Sequence, residues 1–155
     1  MNISEELNKI PFFSKLSSGD LKNLESYLLV QNIAKDTLIA TQGDNCRSLY
    51  SIVKCMIKAT LSRGSSPLDS EITLASGTVF GSMALIANIS MFGTLTSIDE
   101  VTLLTLDHSS FNEIYDKAPH LYESIMKELM YRIQYKSILG MHRFETRCIF
   151  IICDQ

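Results

Sequence analysis

The sequence predicts a mainly β fold with flanking helices: an antiparallel β-roll of the jelly-roll kind, held between N-terminal helices and a C-terminal helix pair. Three observations lead there. Apolar residues recur at helical spacing before residue 29 and after residue 107, but not between them. The middle of the chain breaks into short segments rich in Ile, Val, Thr and Leu, punctuated by Gly, Asn, Asp and Ser. No long helical pattern separates those segments, so they are expected to pair as an antiparallel roll or sandwich and not as a βαβ sheet.

Taken in order, Ser4 is the expected cap of a first helix, with Glu5 and Glu6 in its first turn, where negative charge suits the helix dipole. Pro11 ends it. Residues 17–20, Ser-Ser-Gly-Asp, start a second helix whose apolar face is Leu21, Leu24, Tyr27 and Leu28. Strands are predicted near 29–33, 37–41, 48–53, 56–62, 71–74, 93–98 and 101–106, with 63–67 as a hairpin loop. Asp107 is the expected N-cap of a helix over 108–117. Pro119 suits the first turn of a longer helix that reaches about Leu139, and Gly140 suits its stop. On this last helix Tyr122, Met126, Leu129, Met130, Ile133 and Ser137 fall at three- and four-residue spacings. That stripe serves either packing onto its own domain or the seam of a two-fold homodimer. The expected organisation is one domain over 1–155: N-terminal helices 4–29, β-roll 30–106, C-terminal helices 107–139 and a tail 140–155.

The bulk properties narrow the function. A chain of 155 residues can bury a proper core, and 46% hydrophobic against 20% charged residues argues against disorder. With 14 basic and 17 acidic residues the formal charge is -3, which speaks against a nucleic-acid partner. No segment reaches the run of about 18 apolar residues that a membrane helix needs, and the polar, acidic start is no secretory signal. A cytoplasmic location without a membrane partner is therefore expected. The apolar stretch 148–153 misses the prenylation pattern, because Cys153 is third from the end and not fourth. The four cysteines, Cys46, Cys55, Cys148 and Cys153, are expected to be reduced thiols. His142, Cys148 and Cys153 lack the paired short spacings of a zinc site, so no metal is assigned.

An enzyme is not expected. No nucleophile elbow, P-loop or paired metal-ligand motif is present. Asp107, His108 and Ser109 are adjacent, but they open a helix, and capping explains them better than a catalytic triad.

The most specific signal is local. Asp36 and Gly43-Asp44 punctuate the first strands, Leu49-Tyr50-Ser51-Ile52-Val53 follows, and then comes Ser76-Gly77-Thr78-Val79-Phe80-Gly81-Ser82-Met83-Ala84-Leu85. Over roughly 10–137 the chain resembles the cyclic nucleotide-binding domain family, which includes catabolite-activator-type regulators and the regulatory subunits of cyclic-AMP-dependent kinase. The resemblance implies that Phe80-Gly81 opens a short helix over a cyclic phosphate. Gly lets the backbone approach, and the free N–H groups of Gly81, Ser82, Met83 and Ala84 at a helix start suit an anion. It also implies the cassette 80–94 as ligand-binding positions: Phe80, Gly81, Ser82, Met83, Ala84, Leu85, Met91, Phe92, Gly93 and Thr94.

The sequence departs from the family at three of its places. The acid that takes the ribose 2′-hydroxyl is Ser82 here. The Arg that pairs with the phosphate falls on Met91, with Thr94 following it. No Lys or Arg occurs between Arg63 and Lys117. The Gly after the Tyr-x-Ile strand is Cys55, at a turn built for positive φ. The resemblance thus implies a non-catalytic regulatory or sensor domain in which ordinary cyclic AMP or cyclic GMP is disfavoured as a ligand. Two alternatives stay open. One is a sensor whose pocket, flanked by Met83, Met91 and Phe92, takes a nucleotide or a more apolar ligand. The other is a ligand-free assembly module that acts through its last helix or a separate protein effector. Regulators with this sensor usually carry a winged-helix reader after the long helix, and 140–155 is too short and too poor in basic residues to be one.

Overall fold

The computed structural model describes residues 1–62, 70–91 and 93–138, with the α5 side chains as far as Tyr131. The loop 63–67, Phe92, Gly140, His142, Cys148, Cys153 and the tail lie outside the described residues. The elements run α1 (Ile3–Lys9), α2 (Ser18–Glu25), β1 (Leu29–Ile33), β2 (Leu38–Ala40), β3 (Ser48–Lys54), β4 (Ile57–Leu61), β5 (Ser70–Leu74), β6 (Val79–Phe80), α3 (Ser82–Ala87), β7 (Thr94–Ser97), β8 (Val101–Asp107), α4 (His108–Lys117) and α5 (Pro119–Ile138). The expected fold class holds: helices flank two antiparallel four-stranded sheets, ordered β1-β8-β3-β6 and β2-β7-β4-β5.

Several boundaries differ from expectation, each for a physical reason. The first helix is capped by Asn2, whose side chain accepts from Glu5 N–H. Ser4 instead lies inside the helix and donates to Glu25 Oε2 at 2.7 Å, tying α1 to α2. α2 starts within the expected stretch 17–20, capped by Ser17, but stops at Glu25, so Tyr27 and Leu28 lie past its end. Leu28 is nevertheless buried and Tyr27 packs beside it, because the chain turns there into β1. β6 was not expected: two residues are too few to show alternation, and they form a strand only because Tyr50 and Ser51 of β3 pair with Phe80 and Val79. α4 and its Asp107 cap match the sequence reading, with Asp107 Oδ1 accepting from Ser110 N–H at 2.7 Å.

The sheets divide the core in two. β8 is buried on both faces: Leu104 and Leu106 point into a cluster with the helices, and Val101 and Leu103 point into the roll. The helical cluster gathers Leu7, Phe12, Phe13, Leu24, Phe111, Ile114, Leu121, Ile125 and Leu129. The roll interior gathers Ala40, Ile52, Ile57, Ala59, Leu74, Phe80, Ala84, Met91 and Leu95. Each sheet therefore buries apolar residues without a βαβ connection, as strand alternation requires. Among the described residues no helix is long and apolar enough to cross a membrane.

The apolar stripe of α5 serves its own chain over most of the described length. Leu129 is 1% exposed, and Tyr122 and Met126 pack against the helical cluster beside Leu121 and Ile125. Of the expected seam residues described with side chains, only Met130 is exposed, at 44%. Ile133 and Ser137 lie further along the same helix.

Candidate functional site

The cassette is assembled where β6 leaves β3. Gly77, at φ 88°, turns the chain, and its N–H donates to Ile52 O at 2.8 Å while Ile52 N–H donates to Thr78 O at 2.9 Å. Phe80 then pairs with Tyr50 across the strands, and their rings stack with centroids 5.0 Å apart. Gly81 follows at φ 89° and forms the N-cap of α3. A Cβ there would stand 2.2 Å from the Ser48 carbonyl oxygen, so only glycine fits against β3. No side chain caps α3. The helix is one and a half turns long and ends at Asn88, itself left-handed at φ 53°.

α3 lies between the two halves of the core. Leu85 belongs to the helical cluster and Ala84 to the roll interior, while Ser82 is buried at 7% exposure and Met83 is half-buried. Beyond the helix, Ile89 and Ser90 are exposed, and the chain then dives back. Met91 is 7% exposed within the roll interior. Gly93 is buried, and Thr94 begins β7. The expected positions from Phe80 to Leu85, with Met91, Gly93 and Thr94, are thus brought together around one end of the roll.

A feature not assigned from the sequence ties the loop after β2 to this end of the roll. The loop after β2 folds on itself, with Thr41 N–H donating to Asp44 Oδ2 at 2.8 Å and Asp44 N–H to Thr41 O at 3.0 Å. It then exchanges two backbone bonds with Met91: Gly43 N–H to Met91 O at 2.6 Å, and Met91 N–H to Asp44 O at 2.8 Å. Gln42 adds more, with its N–H on Thr94 Oγ1 at 3.2 Å and its side-chain amide bonded both ways to the Ser62 backbone. The Gly43-Asp44 pair marked a turn in the sequence. The Thr-x-x-Asp spacing that closes the turn was also legible, but its partner, Met91, was not.

The electrostatics around this clasp are acidic or neutral. Burial pushes the Cys46 thiol up, and the Asp44 carboxylate adds to the shift. Burial likewise raises the Tyr50 hydroxyl, with Cys46 adding to it. A thiol held protonated is a poor nucleophile. Arg47 is a cation just before β3. Its Nε is buried and, like His108 Nδ1, has no hydrogen-bond partner among the described residues. Arg47 lies in the turn before β3, where Ser48 N–H donates to Cys46 O at 2.9 Å. Cys55 turns β3 into β4 at φ 68°, the place where the family's pattern has glycine.

The comparisons with known proteins agree with this layout. The family model for the cyclic nucleotide-binding domain matches residues 30–118, more than half of the chain. A cyclic nucleotide-gated potassium channel of Rhizobium etli is 27% identical over 123 residues, covering 79% of this chain and 33% of the channel. A putative potassium channel protein of Rhodopseudomonas palustris is 22% identical over 117 residues, covering 76% of this chain and 28% of that protein. The chain therefore spans about a third of these curated relatives. Among solved structures, a cyclic nucleotide-binding domain from Methylobacillus flagellatus superposes with a TM-score of 0.72 at 19% identity, over 92% of this chain and 84% of that one.

Proposed function

The chain belongs to the cyclic nucleotide-binding domain family, and from that premise we propose that it is a non-catalytic regulatory module whose roll has given up ordinary cyclic AMP and cyclic GMP binding. The observation that carries this reading is Met91. It stands at the place that the family gives to the phosphate-binding Arg, and it is an apolar side chain 7% exposed among the aliphatics of the roll. Its backbone is clasped by the backbone of Gly43 and Asp44, and the Asp44 carboxylate in the same loop accepts from Thr41 N–H. Ser82, in place of the family's acid, offers a neutral and weaker partner to a ribose hydroxyl.

Magnitudes support the loss. A hydrogen bond to a charged group contributes about 1.5–3 kcal/mol, and every 1.4 kcal/mol or so is tenfold in affinity. Removing a two-bond Arg contact and one carboxylate bond takes a micromolar site to millimolar or weaker. Titration calorimetry with cyclic AMP and with cyclic GMP tests this. The expected result is no saturable heat below the millimolar range, and micromolar binding of either nucleotide would restore the reading of a true sensor with an atypical pocket.

A second reading is an assembly or protein-interaction module that uses the last helix, as a homodimer or on a separate protein effector. Exposed Met130 and Tyr131 at the distal part of α5 favour it. We read residues 1–155 as one such domain, cytoplasmic, and without a nucleic-acid, membrane or metal partner. The named function of the channel relatives suggests that the effector is another part of a larger regulated assembly.

A further inference from the structure

Among the described side chains, Arg47 is the one half-buried cation that meets no carboxylate; the lysines are either paired with a glutamate or exposed. Its Nε is enclosed and has no acceptor. His108 shares this condition at the same place. Its backbone N–H donates to Arg47 O at 3.0 Å, which carries the register of β3 and β8 one pair beyond Ser48 and Asp107. Its ring Nδ1 is enclosed and also lacks a partner. The other ring nitrogen, Nε2, lies 3.2 Å from the Asn112 amide Nδ2. An amide nitrogen only donates, so Nε2 accepts there and the ring proton sits on Nδ1. Two N–H donors are thus enclosed in neighbouring residues with no acceptor for either, an arrangement that is costly while it stays empty.

The acids nearest in sequence are engaged elsewhere. Asp107 Oδ1 accepts from Ser110 N–H at 2.7 Å as the cap of α4. Asp44 Oδ2 accepts from Thr41 N–H at 2.8 Å. Neither forms an ion pair with Arg47. Arg47 and His108 are half-buried as whole residues, so the place is open to solvent on one side. A water molecule there would accept from the two donors but would leave the guanidinium charge unbalanced. An oxyanion supplies both the acceptor and the charge, and it suits the planar fork of an arginine.

We propose that Arg47 and His108 form a binding site for an oxyanion, the phosphate or carboxylate group of a small molecule, at the joint between the β3–β8 ladder and α4. The guanidinium supplies the charge and two parallel N–H groups. The His108 ring turns its Nδ1–H onto the same group. Arg47 precedes β3 and His108 opens α4, so an occupant ties the roll to the C-terminal helices. The site uses neither Ser82 nor Met91, and it operates whether or not the roll holds a nucleotide.

Nitrogen NMR of the full chain tests it, with inorganic phosphate and, separately, acetate titrated at constant ionic strength. One of the two ions is expected to move the Arg47 Nε–H and His108 Nδ1–H signals saturably, with chloride inert. Which ion does so tells a phosphoryl ligand from a carboxylate one. Arg47→Met keeps the apolar stem and removes the fork. Followed at the α4 amides, it is expected to weaken binding of that ion at least about tenfold. Thermal midpoints give a second reading. In chloride buffer Arg47→Met is expected to be at least as stable as the parent, because it removes an unpaired charge. With the responding ion in excess the order reverses. The proposal is overturned if neither ion moves the two signals, if chloride moves them equally, or if Arg47→Met binds as the parent does. A less stable Arg47→Met in chloride buffer also overturns it, since the guanidinium would then already be satisfied. The titration of the parent decides the matter even where the variant does not fold.

Discussion

Gly81 at φ 89° and Cys55 at φ 68° both occupy left-handed backbone, and the two residues fare differently there. At Gly81 a side chain would have to displace the Ser48 carbonyl, which is backbone and cannot give way. Gly81→Ala is expected to destabilise by about 2–4 kcal/mol, combining a strained φ with overpacking. At Cys55 the strain is already present, at roughly 1–2 kcal/mol for a left-handed L-residue. Glycine there relieves it, less the roughly 0.5–1 kcal/mol that glycine loses in the flexible unfolded chain. Cys55→Gly is therefore expected to stabilise by about 0.5–1 kcal/mol. Urea midpoints of the two variants, at unchanged slope, check both signs. A destabilised Cys55→Gly would mean that the thiol's packing against the roll outweighs its backbone strain.

At the scale of elements, α2 begins with a cap that reaches a second helix. Ser17 Oγ accepts from Asp20 N–H at 3.1 Å and donates to Asp20 Oδ2 at 2.8 Å, while Asp20 Oδ1 faces His120 of α5. Burial pushes the Asp20 carboxyl up, but the Ser17 hydroxyl and His120 outweigh burial and leave it below the ordinary value. A carboxyl lowered in the folded state adds stability at neutral pH and loses it as pH falls through the folded value. Asp20→Asn is expected to be less stable than the parent by at most about 1 kcal/mol at pH 7, with the gap closing as the solution is acidified below pH 4 or so. A gap independent of pH would assign the effect to packing. The Ser17 start was legible because Ser, Thr, Asp and Asn caps leave a local signature. The Asn2 cap was not, since Ser4 offered the same chemistry two residues later. The strands β3, β4 and β8 were legible as short runs rich in Ile, Val, Leu and Thr between turn residues, and the cassette was legible from Phe80-Gly81. The clasp of Gly43 and Asp44 on Met91 was hidden, because nothing local announces a bond between backbones nearly fifty residues apart.

For the whole molecule, the distal half of α5 is the place to look for self-association. Tyr122, Met126 and Leu129 are committed to the chain's own core, so a seam would have to start at Met130 and continue along the stripe toward Ile133 and Ser137. Under the assembly reading the sedimentation coefficient is expected to rise with protein concentration in the micromolar range, and Met130→Lys to shift that rise to higher concentration. A single monomeric species at every concentration would leave a separate effector as the partner.

The order β1-β8-β3-β6 also has a bearing on synthesis. β1 pairs with β8 alone, from Leu29 against Thr105 to Ile33 against Val101, and β3 shares most of its length with the same strand. During translation β1 therefore lacks its sheet partner until β8, which ends at Asp107, has emerged. β1 must wait, its edge unpaired, for a partner about seventy residues downstream, as Gln31 waits for Thr105. Such late closure makes for slow, non-local folding. It also makes the nascent chain most open to strand-to-strand capture just before β8 appears.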